Sequence, residues 1–475
     1  MASPPRPYVH SSIALAVIVA CQLMMIIDTS VVNIALAPIQ HSLHFSSAGL
    51  AWVIDAYLLF FGGLLLLGGR TGDVFGRRRM LVLGLTVFTA ASLAGGLATS
   101  PTLLLIARAT QGAGAAFASP STLSLISVIF AEGNARNRAL AVFTSVSAGG
   151  ATLGLVLGGA LISSVSWRWV FFINVPVGIA VILLAPRLVP EPPRNGGRLD
   201  LAGAFLGTSG LAAVIFGFIE WAEQAAPALI AGSFAVGTVL LTAFVLVERR
   251  RAQSLFPLRL LAHRPRAAAY GSFLLLPALM NFLFFTLSQF MEDALHFSAL
   301  QTGIGYFPVT FLIFGGSRVA PRLLARFGAR PLLVSGLLCV TAAALWISHA
   351  SPSEGYLTGL LGPMLLFGLG IGQCFLPLSA TILAGVPRND AGAASGMLQT
   401  MQQSGAALGV ASLTTVAAHF GQAAALRTGA GFVLVALLIV LIGIRPARQA
   451  SAPAPSVELE VEERPDMVPV LAGAE

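Results

Sequence analysis

The chain has 475 residues, of which 56% are hydrophobic and only 10% charged, with a formal charge of +8. A soluble domain carries about a quarter charged residues, so a water-soluble globular protein is excluded. The basic residues are all arginine and fall in short stretches between apolar runs, a placement that serves membrane orientation rather than nucleic-acid binding.

Apolar runs long enough to cross a bilayer as helices recur at 12–39, 50–69, 81–98, 103–120, 140–163, 170–188, 201–221, 228–247, 267–291, 302–324, 332–350, 357–378, 392–418 and 429–444. This pattern predicts an all-α polytopic membrane protein with fourteen spans. The first run is too long for a signal-peptide core and contains Asp28, so it reads as a span. Turns after even-numbered spans hold Arg77, Arg78, Arg79, Arg136, Arg138, Arg194, Arg198, Arg249, Arg250, Arg251, Arg264, Arg266, Arg322, Arg326, Arg330 and Arg388. Turns after odd-numbered spans hold little beyond Arg168 and Arg427. The asymmetry predicts a cell-membrane protein with both termini in the cytoplasm.

In the first span, Asp28 is followed by Asn33. A charge at mid-membrane costs roughly 2.5–3.5 kcal/mol on insertion scales. Asp28 is therefore a candidate proton carrier or cation site, the alternative being a structural acid bonded to Thr29 or Asn33. Asp55 and Tyr57 open the second span, where Asp55 either lines a vestibule or is solvated at a helix start. Residues 69–80 read as a short basic turn with an ion-paired latch at Asp73. Arg108 and Gln111 lie inside the fourth span. A buried arginine stays charged and needs a carboxylate or carbonyls, which makes Asp28 a candidate partner.

Gly150, Gly154, Gly158 and Gly159 put a flat stripe on the fifth span, suited to close helix packing. Trp167, Arg168 and Trp169, with Phe171 and Asn174, read as an interfacial aromatic belt. Glu220, Glu223, Glu292 and Asp293 read as solvated acids near helix ends, the alternative being a cluster that attracts cations. Gln373, Gln399, Gln402 and Gln403 put amides in later spans, where they either contact substrate or bridge helices. Cys21, Cys339 and Cys374 have no metal or disulfide spacing. His41 and His44 lack a third ligand, and no phosphate-binding loop or nucleophile elbow occurs. No metal, cofactor or enzymatic activity is expected.

The two halves of the chain echo each other. Phe75-Gly76-Arg77 resembles Phe327-Gly328-Ala329, and Gly150 and Gly154 pair with Gly405 and Gly409. The expected domains are a six-helix bundle at 12–188, a linker with two extra spans at 189–265, a second six-helix bundle at 266–445 and a disordered tail at 446–475.

The 69–80 stretch resembles the signature loop of the major facilitator superfamily. Gly69, Asp73, Gly76, Arg77 and Arg78 match in place, while Thr71, Gly72 and Val74 depart. The resemblance implies two six-helix halves around a substrate site, with this loop locking the cytoplasmic gate. The Asp28 segment is similar to the first-span signature of fourteen-span drug:proton antiporters, with Val31, Asn33, Ala35 and Leu36 in register. Arg108, Gln111 and Gly112 match a superfamily motif, which implies proton coupling at Arg108. The span-five glycines resemble the motif of exporters, with Leu155 where that motif has proline. The resemblance implies a proton-coupled exporter of amphipathic drugs or antibiotics, with Asn33, Asp55, Tyr57, Gln111, Gln373, Gln399 and Gln403 as cavity candidates. Its expected partners are protons, a lipophilic small molecule and membrane lipid, and a monomer is expected. Open alternatives are a proton-coupled carrier of a specific metabolite, an uptake symporter, and a polytopic sensor or enzyme.

Overall fold

The computed structural model describes residues 11–46, 48–130, 134–192, 199–250, 258–386 and 390–444. Arg194, Arg198, Arg251, Arg388 and the tail expected at 446–475 lie outside the described residues. Within them the chain is helical, in fourteen rods: α1 (Ser11–Leu43), α2 (Trp52–Phe75), α3 (Arg77–Gly96), α4 (Pro101–Ile129), α5 (Asn134–Ser164), α6 (Asn174–Leu188), α7 (Leu201–Ala222), α8 (Pro227–Arg250), α9 (Arg264–Gln289), α10 (Ala299–Gly305 and Phe307–Phe327), α11 (Ala329–Ile347), α12 (Leu361–Leu383), α13 (Ala391–Phe420) and α14 (Gln422–Gly443). Eleven rods among the described residues are individually long and apolar enough to cross a membrane, α6 when taken with the helical turn Trp169–Phe172 just before it. The other three, α4, α5 and α13, are 29, 31 and 30 residues long, ample to span about 30 Å of hydrocarbon at about 1.5 Å per residue.

The basic turn expected at 69–80 is far shorter than the hydropathy break implies. Helix α2 runs through Asp73 to Phe75 and α3 begins at Arg77, leaving Gly76 alone between them. Charged side chains end an apolar run without ending a helix, because they extend from it into water. What stops α2 is Gly76, whose φ of 113° is open to glycine and strained for other residues. Gly328, between α10 and α11, repeats the device with φ 79°. Likewise α4 continues past Pro120 to Ile129.

The apolar side chains form two cores. One draws on α1 to α7, for example Ile18, Val53, Leu104, Val181 and Ile215. The other draws on α9 to α14, for example Phe273, Leu337, Phe367 and Val433. Residues that cross over mark the seam: Ile34 and Leu155 pack in the second core, and Phe285, Ala406 and Ala407 in the first. Glycines repeat between the two. A Cβ at Gly150 or Gly154 would meet Leu23 or Ser30 of α1, and one at Gly405 or Gly409 would meet Leu274 or Ala278 of α9.

The α7–α8 hairpin lies against the seam and touches both halves. A Cβ at Gly63 of α2 would meet Thr208 of α7. From the other half, Thr415 Oγ1 of α13 donates to the Phe218 carbonyl of α7 at 2.7 Å. The turn between the two helices is pinned by Glu223, whose carboxylate accepts from the Gly49 N–H at 3.1 Å and from the Ser46 hydroxyl. Glu223 is thus a tether and not a free loop acid.

Away from the basic end, α5 and α10 meet backbone to backbone. A Cβ at Gly159 would lie 2.5 Å from the Ala299 carbonyl oxygen, and one at Gly303 would lie 2.5 Å from that of Leu155. Leu300 N–H also donates to Ser163 Oγ at 3.2 Å. Gly149 of α5 and Gly315 of α10 have no neighbour where a Cβ would sit.

Candidate functional site

Asp28 is fully buried in α1. Its helix neighbours do not satisfy it, since Thr29 Oγ1 donates to the Ile26 carbonyl and Asn33 Nδ2 to the Thr29 carbonyl, each at 2.9 Å. The donors arrive from two other helices. Arg108 of α4 donates through Nη1 to Asp28 Oδ2 at 2.7 Å. Gln111, one turn further on α4, donates to Oδ1 at 3.0 Å. Asn174, the first residue of α6, donates to the same oxygen at 2.8 Å.

Arg108 is only 2% exposed, and its remaining charge is also met. Nε donates to the Val53 carbonyl of α2 at 2.9 Å, Nη1 reaches Gln111 Oε1 at 3.1 Å, and the guanidinium lies 4.5 Å from the Tyr57 ring centre. Gln111 is fixed in turn by donating to Ser92 Oγ of α3 at 2.7 Å. Five helices therefore converge on one neutral acid–base pair. Such a pair is tolerable in a dry interior only while both members keep their partners.

Asp55 contrasts with this. It is fully buried, and neither carboxylate oxygen has a hydrogen-bond partner among the described residues. Its place in the first turn of α2 favours negative charge through the helix dipole, but this is weak compensation. Asp55, Gly62 and Leu66 lie on one helical stripe, which faces α13: a Cβ at Gly62 would touch Gln403, and Gly396 abuts Leu66. Asp55 therefore stands at the seam between the halves and is not solvated.

The other predicted residues separate into groups. Gln403 lies at the seam beside Gly62. Gln373 accepts from Ser335 of α11 at 2.9 Å, bridging two helices of the second half. Gln399 is exposed. Gly150, Gly154 and Gly158 pack on α1, whereas Gly159 faces α10, so the stripe touches both halves.

At the basic end Asp73 pairs with Arg77, and Arg77 reaches the Pro120 carbonyl at 3.4 Å. Arg78 donates to the Pro186 and Val189 carbonyls at the end of α6, each at 3.1 Å, and its backbone N–H donates to Glu191 at 3.1 Å. These contacts of Asp73, Arg77 and Arg78 tie the loop to α4 and α6 of its own half. Gly69 faces Pro120.

Four members of these sites escape sequence reasoning. Asn174, read above as part of the interfacial aromatic belt, is instead buried on Asp28, and Ser92 hides in an apolar run. The Val53 carbonyl carries no side-chain signal. Glu191, between two prolines, is an acid with no motif around it.

An all-helical bundle of fourteen rods, with two cores and a charge pair buried among its helices, defines a polytopic membrane transporter. The chain belongs to the Major Facilitator Superfamily, whose family model matches residues 18–410. It is 42% identical over 410 residues to the puromycin resistance protein pur8 of Streptomyces alboniger, covering 85% of this chain and 81% of that one. It is 40% identical over 467 residues to the cephamycin export protein CmcT of Amycolatopsis lactamdurans, covering 93% and 94%. Among solved structures, the human organic anion transporter MFSD10 (TETRAN) superposes with a TM-score of 0.63 at 18% identity, over 92% of this chain and 100% of that one. That likeness concerns the fold alone.

Proposed function

We propose that this protein exports amphipathic drugs or antibiotics across the cell membrane in exchange for protons, by alternating access, with both termini in the cytoplasm. Relatives named for antibiotic resistance and export support the substrate class. Proton coupling rests on one observation, the Asp28–Arg108 pair sealed among α1, α4 and α6.

In this reading the proton binds Asp28 and cancels its charge. Arg108 then loses its counter-ion but keeps the Val53 carbonyl, Gln111 and Tyr57. The helices that share the pair shift to a new balance, and the glycine contacts of α5 on α1 and α10 let the halves rock. Each proton crossing 100 mV supplies about 2.3 kcal/mol, enough to bias two conformations by roughly fifty-fold. The bundles at 12–188 and 266–445 would be the moving bodies, with the hairpin of 189–265 riding on the seam. The Asp73 loop would brace the first body.

Proteoliposomes with an imposed pH gradient, challenged with a panel of antibiotics, test the reading. Exchange predicts proton efflux that depends on substrate. Co-movement of proton and substrate, or substrate movement indifferent to the gradient, would overturn it.

A further inference from the structure

The outer closure carries a second acid that the coupling pair does not use. Beyond α9 the chain makes one wide π turn, Phe290–Ala294, a local form frequent at functional sites. Glu292 lies on it, half-buried, with carboxylate oxygen Oε1 enclosed and without a hydrogen-bond partner among the described residues. Facing it is Thr302, which is fully buried and whose hydroxyl likewise has no partner. The two groups stand opposed, each enclosed and with no other partner among the described residues.

Thr302 belongs to the outer piece of α10, Ala299–Gly305, which Tyr306 separates from the rest of that helix. Its immediate neighbour Gly303 makes the close contact with Leu155 of the first half. The hinge itself is held from the second half. Tyr306 donates to the Phe284 carbonyl at 2.8 Å, and Tyr356 donates to the Gly305 carbonyl at 2.7 Å. The short piece thus has two surfaces to choose between: the first half through Gly303, or the Glu292 turn through Thr302.

We propose that Glu292 is a proton-binding site on the extracellular side, and that its charge sets the position of Ala299–Gly305 and hence of the outer gate. This rests on the exporter reading and orientation given above. The charged carboxylate draws the Thr302 hydroxyl into a charge-assisted hydrogen bond, which lifts the short piece off α5 and opens the gate. A proton taken from the outer solution converts the carboxylate to the neutral acid, weakens that bond and lets Gly303 settle on Leu155. The proton returns to the same solution when the gate reopens. Closing on proton uptake is the order an exchanger needs after it has released its cargo outside. The other titratable groups here are Asp293 and His296 on the exposed turn, with the Tyr306 and Tyr356 phenols across from it.

The test places spin labels at Val165→Cys and Ile304→Cys, both exposed, in full-length protein with Cys21, Cys339 and Cys374 replaced, reconstituted in vesicles. Distances are recorded between about pH 5 and about pH 9. The expected result is a closed population at low pH and an added longer distance at high pH. Glu292→Gln should remain closed throughout, while Glu292→Asp and His296→Ala should keep the transition. Thr302→Val should displace its midpoint by about half a pH unit or more, with Thr302→Ser near wild type. A wild-type transition in Glu292→Gln overturns the proposal. If that occurs while Asp28→Asn abolishes exchange, the exporter reading stands and only the outer site fails.

Discussion

Asn174 donates to Asp28 Oδ1 at 2.8 Å across 146 residues of sequence. The bond ties the start of α6 to the middle of α1 and completes a shell of donors around a carboxylate whose charge Arg108 already balances. A fully donor-satisfied ion pair holds still, and in the proposed exchange it is a proton that releases it.

The first prediction follows from that balance. Arg108→Gln strands a buried carboxylate and should lower stability by about 3–5 kcal/mol. Asp28→Asn should lower it less, because Arg108 keeps the Val53 carbonyl, Gln111 and the Tyr57 ring. The double variant should recover much of the Arg108→Gln loss. Thermal unfolding of the four proteins in detergent closes this cycle, and simple additivity would contradict it.

Asp55 should behave in the opposite way. Nothing among the described residues neutralises or bonds its carboxylate, so Asp55→Leu removes an uncompensated buried acid and should raise the melting temperature. Transport should fall at the same time, since a costly group at the seam is retained for use. A variant that melts lower than wild type would show that Asp55 has a partner.

The glycine contacts grade themselves by what a side chain would meet. Gly159→Leu drives a side chain at the Ala299 carbonyl, 2.5 Å from the Cβ position, and should force α5 and α10 apart. Thiol labelling of an Ile162→Cys reporter from outside should speed up, and transport should stop. Gly149→Ala meets nothing and should leave labelling unchanged.

Gly76→Ala combines a φ of 113° with a Cβ 2.7 Å from Glu191 Oε1. Backbone strain of this kind costs about 1–3 kcal/mol. Glu191→Gln retains an acceptor for the Arg78 N–H and loses only a partly exposed ion pair at 3.6 Å, which is worth under about 1 kcal/mol. Melting temperatures should rank Gly76→Ala well below Glu191→Gln.

Much of this was legible in the residues, for physical reasons. Hydropathy and arginine placement gave the fourteen spans, because lipid leaves the backbone few choices. Asp28 and Arg108 stood out because charge is rare in such runs. The contacts around them were less legible. Asn174 and Ser92 are neutral and common, and no pattern says which of many such residues will point at a carboxylate. Asp55 was ambiguous because a helix-start acid reads alike in water and at a seam. The abrupt turn at Gly76 was blurred because hydropathy reports charge, whereas helix ends are set by backbone dihedrals.

The account depends above all on Asp28 as the proton-exchanging group. Purified protein in weakly buffered detergent solution, with a pH indicator, reports protons released when an exported antibiotic is added. Wild type should release protons in proportion to antibiotic bound, and Asp28→Asn should bind antibiotic and release none. Equal release from both proteins would contradict the account.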